Sequence, residues 1–160
     1  MPIPPVLDAD SAAFLQSGCS INAGACGDDG MPVTARCCGC RVAPDLRSIT
    51  VFISKVQGAA LLKAVQENGA IAVVFSQPST HRTLQLKGND ATALPLEADD
   101  ARRIAEYRAA FAHELGLFGY EPALAHTLLS HPSSAIVAMR FTPAEMYLQT
   151  PGPRAGERIA

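Results

Sequence analysis

The chain has 160 residues, 48% of them hydrophobic, and a formal net charge of -2. That length and apolar content suit one domain, residues 1–160, with a substantial core. Near-neutral charge excludes a broad electrostatic footprint for nucleic acid or an anionic membrane surface, so any anion site has to be local.

The opening Met-Pro-Ile-Pro-Pro-Val-Leu-Asp has neither a basic n-region nor a long apolar run, so no secretory signal is expected and the expected location is cytoplasmic. Asp8 or Asp10 can cap a short helix carrying Ala12, Ala13, Phe14 and Leu15, with Gly18 placed to end it. Cys19 to Ala25 reads as a strand, and Gly27-Asp28-Asp29-Gly30 is turn chemistry, which makes a hairpin with the strand Pro32 to Ala43. Pro44-Asp45 breaks that strand, and Ser48 to Ser54 completes a three-stranded antiparallel meander.

Helical spacing of Ala60, Leu61, Ala64 and Val65 predicts a helix from Gln57 to Asn68, stopped by Gly69 and followed by a buried strand, Ala70 to Ser76. Thr80 to Gly88 then alternates Leu84 and Leu86 with Thr83, Gln85 and Lys87, the period-2 pattern of a half-buried strand with one polar face. The texture changes at 97–131. Glu97 to Leu117 predicts a long helix with Ala101, Ile104, Ala105, Arg108, Phe111, Ala112 and Leu115 on one face, and a second helix follows at about Pro122 to Leu129.

Ala135 to Phe141 is the last predicted strand, apolar enough to be central or at an oligomer interface. The longest apolar runs, Ala70 to Phe75 and Ala135 to Met139, are far too short to cross a bilayer, so no membrane association is expected. Thr142-Pro143-Ala144-Glu145 has the form of a capping box and predicts a short terminal helix, and the Pro- and Gly-rich tail at 149–160 is expected to be irregular. The predicted class is mainly β (α+β): a six-stranded antiparallel split β-barrel with appended helices, with a plain two-layer α+β sheet as the competitor.

Arg36 and Arg41 lie five residues apart on one strand, and strict alternation sends them to opposite faces. A bulge at Gly39 would reset the alternation and let both guanidinium forks reach one phosphate. The five cysteines, 19, 26, 37, 38 and 40, are read as reduced thiols. Cys37, Cys38 and Cys40 with Cys19 and Cys26 could in number hold a metal, but their spacing lacks a Cys-x-x-Cys knuckle and no metal is expected. The four histidines are scattered without ligand spacing, and neither a nucleophile elbow nor a phosphate loop is present in the sequence.

The Arg36-x-x-x-x-Arg41 strand, the Phe52-Ile53-Ser54 strand end and Thr80-His-Arg-Thr-Leu-Gln-Leu-Lys-Gly, in that order, resemble the pyridoxamine 5'-phosphate oxidase-like family of FMN-binding split-barrel proteins. The resemblance covers roughly Phe14 to Gly88, and Gln149-Thr-Pro-Gly-Pro-Arg-Ala-Gly is similar to tails of uncharacterised members. It implies a homodimer with FMN in clefts between the subunits and an FMN-dependent oxidoreductase acting on an unknown small molecule. It further implies that Arg36, Cys37, Cys38, Gly39, Cys40 and Arg41 wrap the flavin. Ile53 and Ser54 would line it, Arg82, Thr83 and Gln85 would flank the ring and ribityl chain, and Lys87 would add a phosphate or ring contact.

Two positions depart from the family pattern. Gln57, Gly58 and Ala59 stand where many members carry an Arg-Lys pair for the FMN phosphate, and Gly152-Pro-Arg-Ala-Gly-Glu-Arg lacks the arginine and histidine with which the true oxidase holds its vitamin substrate. Oxidation of pyridoxamine phosphate is therefore not expected; a non-catalytic flavin- or ligand-binding module of the same fold is the alternative, with a cysteine-based metal or redox protein as the third reading. No catalytic side chain is assigned, because a flavin carries its own redox chemistry.

Overall fold

The computed structural model describes residues 5–160, so the first four residues of the Pro-rich start lie outside it. Among the described residues nine strands follow one hydrogen-bonded path, every neighbouring pair antiparallel. In chain order they are β1 (Ser20–Cys26), β2 (Pro32–Val42), β3 (Ile49–Ser54), β4 (Ile71–Ser76), β5 (Thr83–Gly88), β6 (Thr92–Leu94), β7 (Ile136–Phe141), β8 (Glu145–Leu148) and β9 (Glu157–Arg158). Their spatial order is β6-β7-β3-β2-β1-β4-β5-β8-β9, so β6 and β9 are the two edges and the sheet is not closed. Four helices accompany them: α1 (Ala9–Leu15), α2 (Ala59–Asn68), α3 (Asp100–Gly116) and α4 (Pro122–Leu129). No helix among the described residues is long and apolar enough to cross a membrane.

The β1–β2–β3 meander forms as expected. Gly30 takes φ +75° in the connecting turn and its N–H donates to the Gly27 carbonyl at 3.0 Å, a conformation open to glycine at little cost. Asp8 caps α1, its Oδ1 accepting the Ser11 N–H at 2.8 Å. Gly69 ends α2 in the left-handed region. On β4 the alternation is clean, with Ile71, Val73 and Phe75 buried and Ala72, Val74 and Ser76 half-buried. The core gathers these with Ile21, Leu84, Leu86, Val51, Phe52, Ile53 and Phe141.

The strand β3 is buried at all six positions because both of its faces are covered. Phe52 lies beside Gly39 and Tyr107, whereas Ile53 lies against Gly58 at the start of α2. The helix α3 packs along β2, with Tyr107 and Phe111 stacked at 6.0 Å and the Tyr107 hydroxyl donating to the Cys19 carbonyl at 2.6 Å.

Four expectations are corrected. Thr142 to Glu145 does not start a helix: the Thr142 N–H donates to Asp90 Oδ1 at 2.7 Å, the Ala144 N–H donates to the Lys87 carbonyl at 2.8 Å, and Glu145–Leu148 pairs with β5. Backbone donors that a helix would leave unpaired find cross-strand acceptors instead. The tail is likewise not wholly irregular, since it turns back and pairs Glu157 and Arg158 with Leu148 and Tyr147. β7 is not the last strand; it is paired on both sides, between β3 and the three-residue edge strand β6. On α3 the buried positions include Tyr107, Asp100 and Glu114, while Ala101 and Ala105 are exposed, because the helix presents its bulky ring rather than its alanines to Gly39.

Candidate ligand-binding face

Period-2 geometry puts alternate residues of β1, β2, β4, β5 and β8 on the face away from the core, and the register aligns them in rows. One row runs Thr34, Gly24, Ala72, Lys87, Glu145. The next runs Arg36, Asn22, Val74, Gln85, Tyr147, and a third joins Ser20, Ser76 and Thr83. The result is a polar face with small residues at its centre.

Hydrogen bonds fix the polar groups. Arg36 Nη1 donates to Ser20 Oγ at 3.0 Å, the Ser76 and Thr83 hydroxyls are 2.8 Å apart, and Gln149 Nε2 donates to Gln85 Oε1 at 3.2 Å. The Tyr147 hydroxyl donates to the Glu145 carboxylate, and Lys87 Nζ sits 4.6 Å from the centre of the Tyr147 ring. That hydrogen bond holds the Glu145 carboxyl below its usual range and pushes the Tyr147 phenol up. Beneath Lys87 and Glu145 a groove of about 430 Å³ runs over Gly24, Pro32, Val33 and Ala72.

Four of the residues singled out in the sequence therefore come together: Arg36, Thr83, Gln85 and Lys87. Arg82 stands just before Thr83, its Nη2 2.7 Å from Asp10 Oδ2 and its guanidinium 4.2 Å over the Phe14 ring. The rest lie elsewhere. The Gly39 bulge is present, with φ +136° and a register shift between Cys37 and Cys40. Nonetheless, the two arginines beside it engage different ends of α3. Arg36 lies 5.9 Å over the Phe111 ring, whereas Arg41 donates to Asp100 and also meets Glu97 at 3.2 Å. About 16 Å of helix axis separates positions 100 and 111, so the two guanidinium groups do not converge.

Cys37, Cys38 and Cys40 are buried, with Cys38 Sγ donating to the Phe52 carbonyl at 3.3 Å and Cys40 Sγ to the Leu15 carbonyl at 3.1 Å. Burial pushes the Cys38 and Cys19 thiols up to about 11, and Cys37 and Cys40 are also raised by burial. Among the described residues no three His, Cys, Asp or Glu side chains are grouped to share a metal. Ile53 and Ser54 are buried, and the Ser54 carbonyl and hydroxyl accept the N–H groups of Gly58 and Gln57 at 2.8 and 3.3 Å.

Sequence reasoning missed Ser20, Asn22, Gly24, Ser76, Glu145 and Tyr147. For the first three the signal was available, since Ser-x-Asn-x-Gly alternates with buried Ile21 and Ala23. Glu145 and Tyr147 were hidden by the capping-box reading of Thr142 to Glu145.

No protein-family model matches the chain, and no curated protein does. Solved structures do. HupZ from Group A Streptococcus is similar with a TM-score of 0.56 at 12% identity, over 94% of this chain and 100% of that one. An F420 reductase gives 0.54 at 13% identity, over 91% and 98%. A pyridoxamine 5'-phosphate oxidase-related, FMN binding protein from Nostoc punctiforme gives 0.51 at 13% identity, over 96% and 89%. These likenesses show the fold: an α+β architecture of the split-barrel type, built on an antiparallel sheet. Its architecture is thus the one implied by the resemblance, here with nine strands and an open path.

Proposed function

We propose that the chain is a homodimeric FMN-binding oxidoreductase whose flavin lies on the polar outer face of β2, β1, β4 and β5. One observation carries this reading: the in-register rows bring Arg36, Thr83, Gln85 and Lys87 to one face around Gly24, Ala72, Ser20 and Ser76. The names of two similar structures, an FMN binding protein and an F420 reductase, support a flavin-type cofactor.

The residues present fit such a group, with a shift of its phosphate anchor. At the start of α2 Gln57, Gly58 and Ala59 carry no charge, Lys55 in the preceding turn donates to the Ser134 carbonyl at 3.0 Å, and Gly58 is closed in by Ile53 and the Ser54 carbonyl. Arg41 is taken by Asp100, and Arg82 by Asp10. Arg36 keeps donors beyond the one given to Ser20 and is the phosphate ligand. Lys87 stands three strand spacings away across β1 and β4, about 14 Å, so phosphate and ring ends have separate cations. Thr83 and Gln85, on β5 with Lys87, orient the ring and ribityl chain. When bound, the flavin supplies hydride or electron transfer, and the side chains supply orientation and electrostatics.

Titration with FMN, followed by visible absorbance and flavin fluorescence, tests the reading. Saturable binding is expected, with Arg36→Ala weakening it about tenfold through loss of a charge-assisted hydrogen bond. A protein that FMN leaves unchanged would refute it. The second reading, a flavin holder without turnover, is favoured by the engagement of Arg41 with Asp100 and Glu97. Bound flavin that neither nicotinamide cofactors nor a panel of donors can reduce selects this alternative.

A further inference from the structure

The groove at the Lys87 end of the polar face carries chemistry of its own. Its floor is Gly24 and Ala72, neighbours in the register of β1 and β4. Nothing in the fold demands glycine at 24. Its φ is not in the left-handed region, and a Cβ built there would meet no atom nearer than 3.7 Å, the Val33 carbonyl oxygen. The absence of a side chain leaves a flat bed on the open side of the sheet, bordered by Pro32 and Val33.

Over this bed stand one donor and one acceptor, side by side. Lys87 and Glu145 are register partners on β5 and β8. Among the described residues the Lys87 ammonium takes part in none of the ion pairs, and its contact is the face of Tyr147. Three N–H donors thus remain for a ligand. The Glu145 carboxylate is oriented by the Tyr147 hydroxyl and, being ionised, has lone pairs to spare. An anionic head group would gain Lys87 but face Glu145, and a cation would meet the reverse. What matches both is a neutral edge with an N–H beside a C=O.

We propose that this groove recognises the edge of a planar heterocycle in which an amide-type N–H and a carbonyl are adjacent, the N–H donating to Glu145 and the carbonyl accepting from Lys87, with the ring lying on Gly24 and Ala72. The proposal deepens the flavin reading, because an isoalloxazine carries such an edge, yet it does not depend on a phosphate at Arg36.

Lumiflavin, the isoalloxazine ring with a methyl group in place of the ribityl phosphate, is the probe, and its fluorescence is titrated with the full chain. Expected results are saturable binding, about tenfold weaker binding of 3-methyl-lumiflavin, which lacks the ring N–H, and about tenfold losses in Lys87→Met and Glu145→Ala, each corresponding to one charge-assisted hydrogen bond. Gly24→Val, checked for folding by circular dichroism, is expected to abolish binding by filling the bed. Because the methylated probe acts on the unaltered chain, the test does not depend on any variant folding. Absence of lumiflavin binding, equal affinity for the two probes, or undiminished binding in folded Gly24→Val overturns the inference. So does displacement by phenylalanine with no discrimination between the probes, which would assign the pair to a zwitterion. If FMN binding needs Arg36 while groove variants leave lumiflavin unaffected, the groove falls and the FMN reading stands. If groove variants lose lumiflavin and FMN binds no more tightly than lumiflavin, the reverse holds.

Discussion

Arg41 holds the fully buried Asp100 with a two-point grip, Nε to Oδ1 at 3.0 Å and Nη2 to Oδ2 at 3.3 Å, and so ties the bulged half of β2 to the first turn of α3. Asp100 Oδ2 also accepts the Glu97 N–H at 2.8 Å. The arginine that by sequence resembled a cofactor ligand is thereby a fastening for the helical excursion. Removing it leaves a buried carboxylate without its counter-charge. Arg41→Ala is expected to destabilise the fold by about 3 kcal/mol, read from urea unfolding, while Arg36→Ala leaves the unfolding midpoint nearly unchanged and acts on FMN binding. Equal stability of Arg41→Ala and the parent chain would contradict this.

Gly18 sits where the chain between α1 and β1 passes under α3, and a Cβ there would meet the Ala110 carbonyl oxygen at 2.5 Å. That oxygen belongs to helix backbone and cannot swing aside. Gly18→Ala is expected to cost about 1–3 kcal/mol, seen as a lowered thermal midpoint. Gly116→Ala, on the same helix in open space, supplies the contrast and should have no measurable cost of this kind.

Thiol reactivity should divide the five cysteines sharply. Cys26 alone is exposed, and Cys19, Cys37, Cys38 and Cys40 are buried with thiol pKa values raised by burial. At pH 8 the buried four stay protonated and out of reach. A chromogenic disulfide reagent is expected to label one thiol per chain rapidly in the native state and all five in denaturant. Rapid native labelling beyond Cys26 would show that β2 opens more readily than its packing implies.

Glu114 near the end of α3 accepts Gln77 Nε2 at 3.0 Å on one oxygen and the Ser79 N–H at 3.0 Å on the other. Burial pushes its carboxyl up, but the hydrogen bonds from Ser79 and Gln77 outweigh this and hold it below 4.5. A depressed folded-state value contributes stability that is present above 4.5 and lost as pH falls through the lower folded value. Glu114→Gln should therefore flatten the acid limb of stability against pH below about 4.5, with the difference from the parent chain largest at neutral pH. An unchanged pH profile in the variant would remove Glu114 from the acid response.

Local elements follow from the chain's own residues wherever one physical signal dominates. The Gly27 to Gly30 turn, the Gly69 stop and the alternation of Leu84 and Leu86 with Gln85 and Lys87 each act within a few residues, and each stands in the structure as read. Which polar residues meet depends instead on packing between elements distant in sequence. Arg36 and Arg41 share a strand and a residue type, yet Ser20 and Phe111 receive one while Asp100 receives the other, partners set by long-range packing of α3. Likewise, Thr142 to Glu145 has sound helix-starting chemistry, which loses to the unpaired edge of β5: cross-strand acceptors at Lys87 satisfy donors that a lone helical turn would leave open. That one choice places Glu145 and Tyr147 beside Lys87 and completes the polar face. Spacing along a chain sets which side of its own element a residue occupies, but which element it faces is fixed by the pairing of strands distant in sequence.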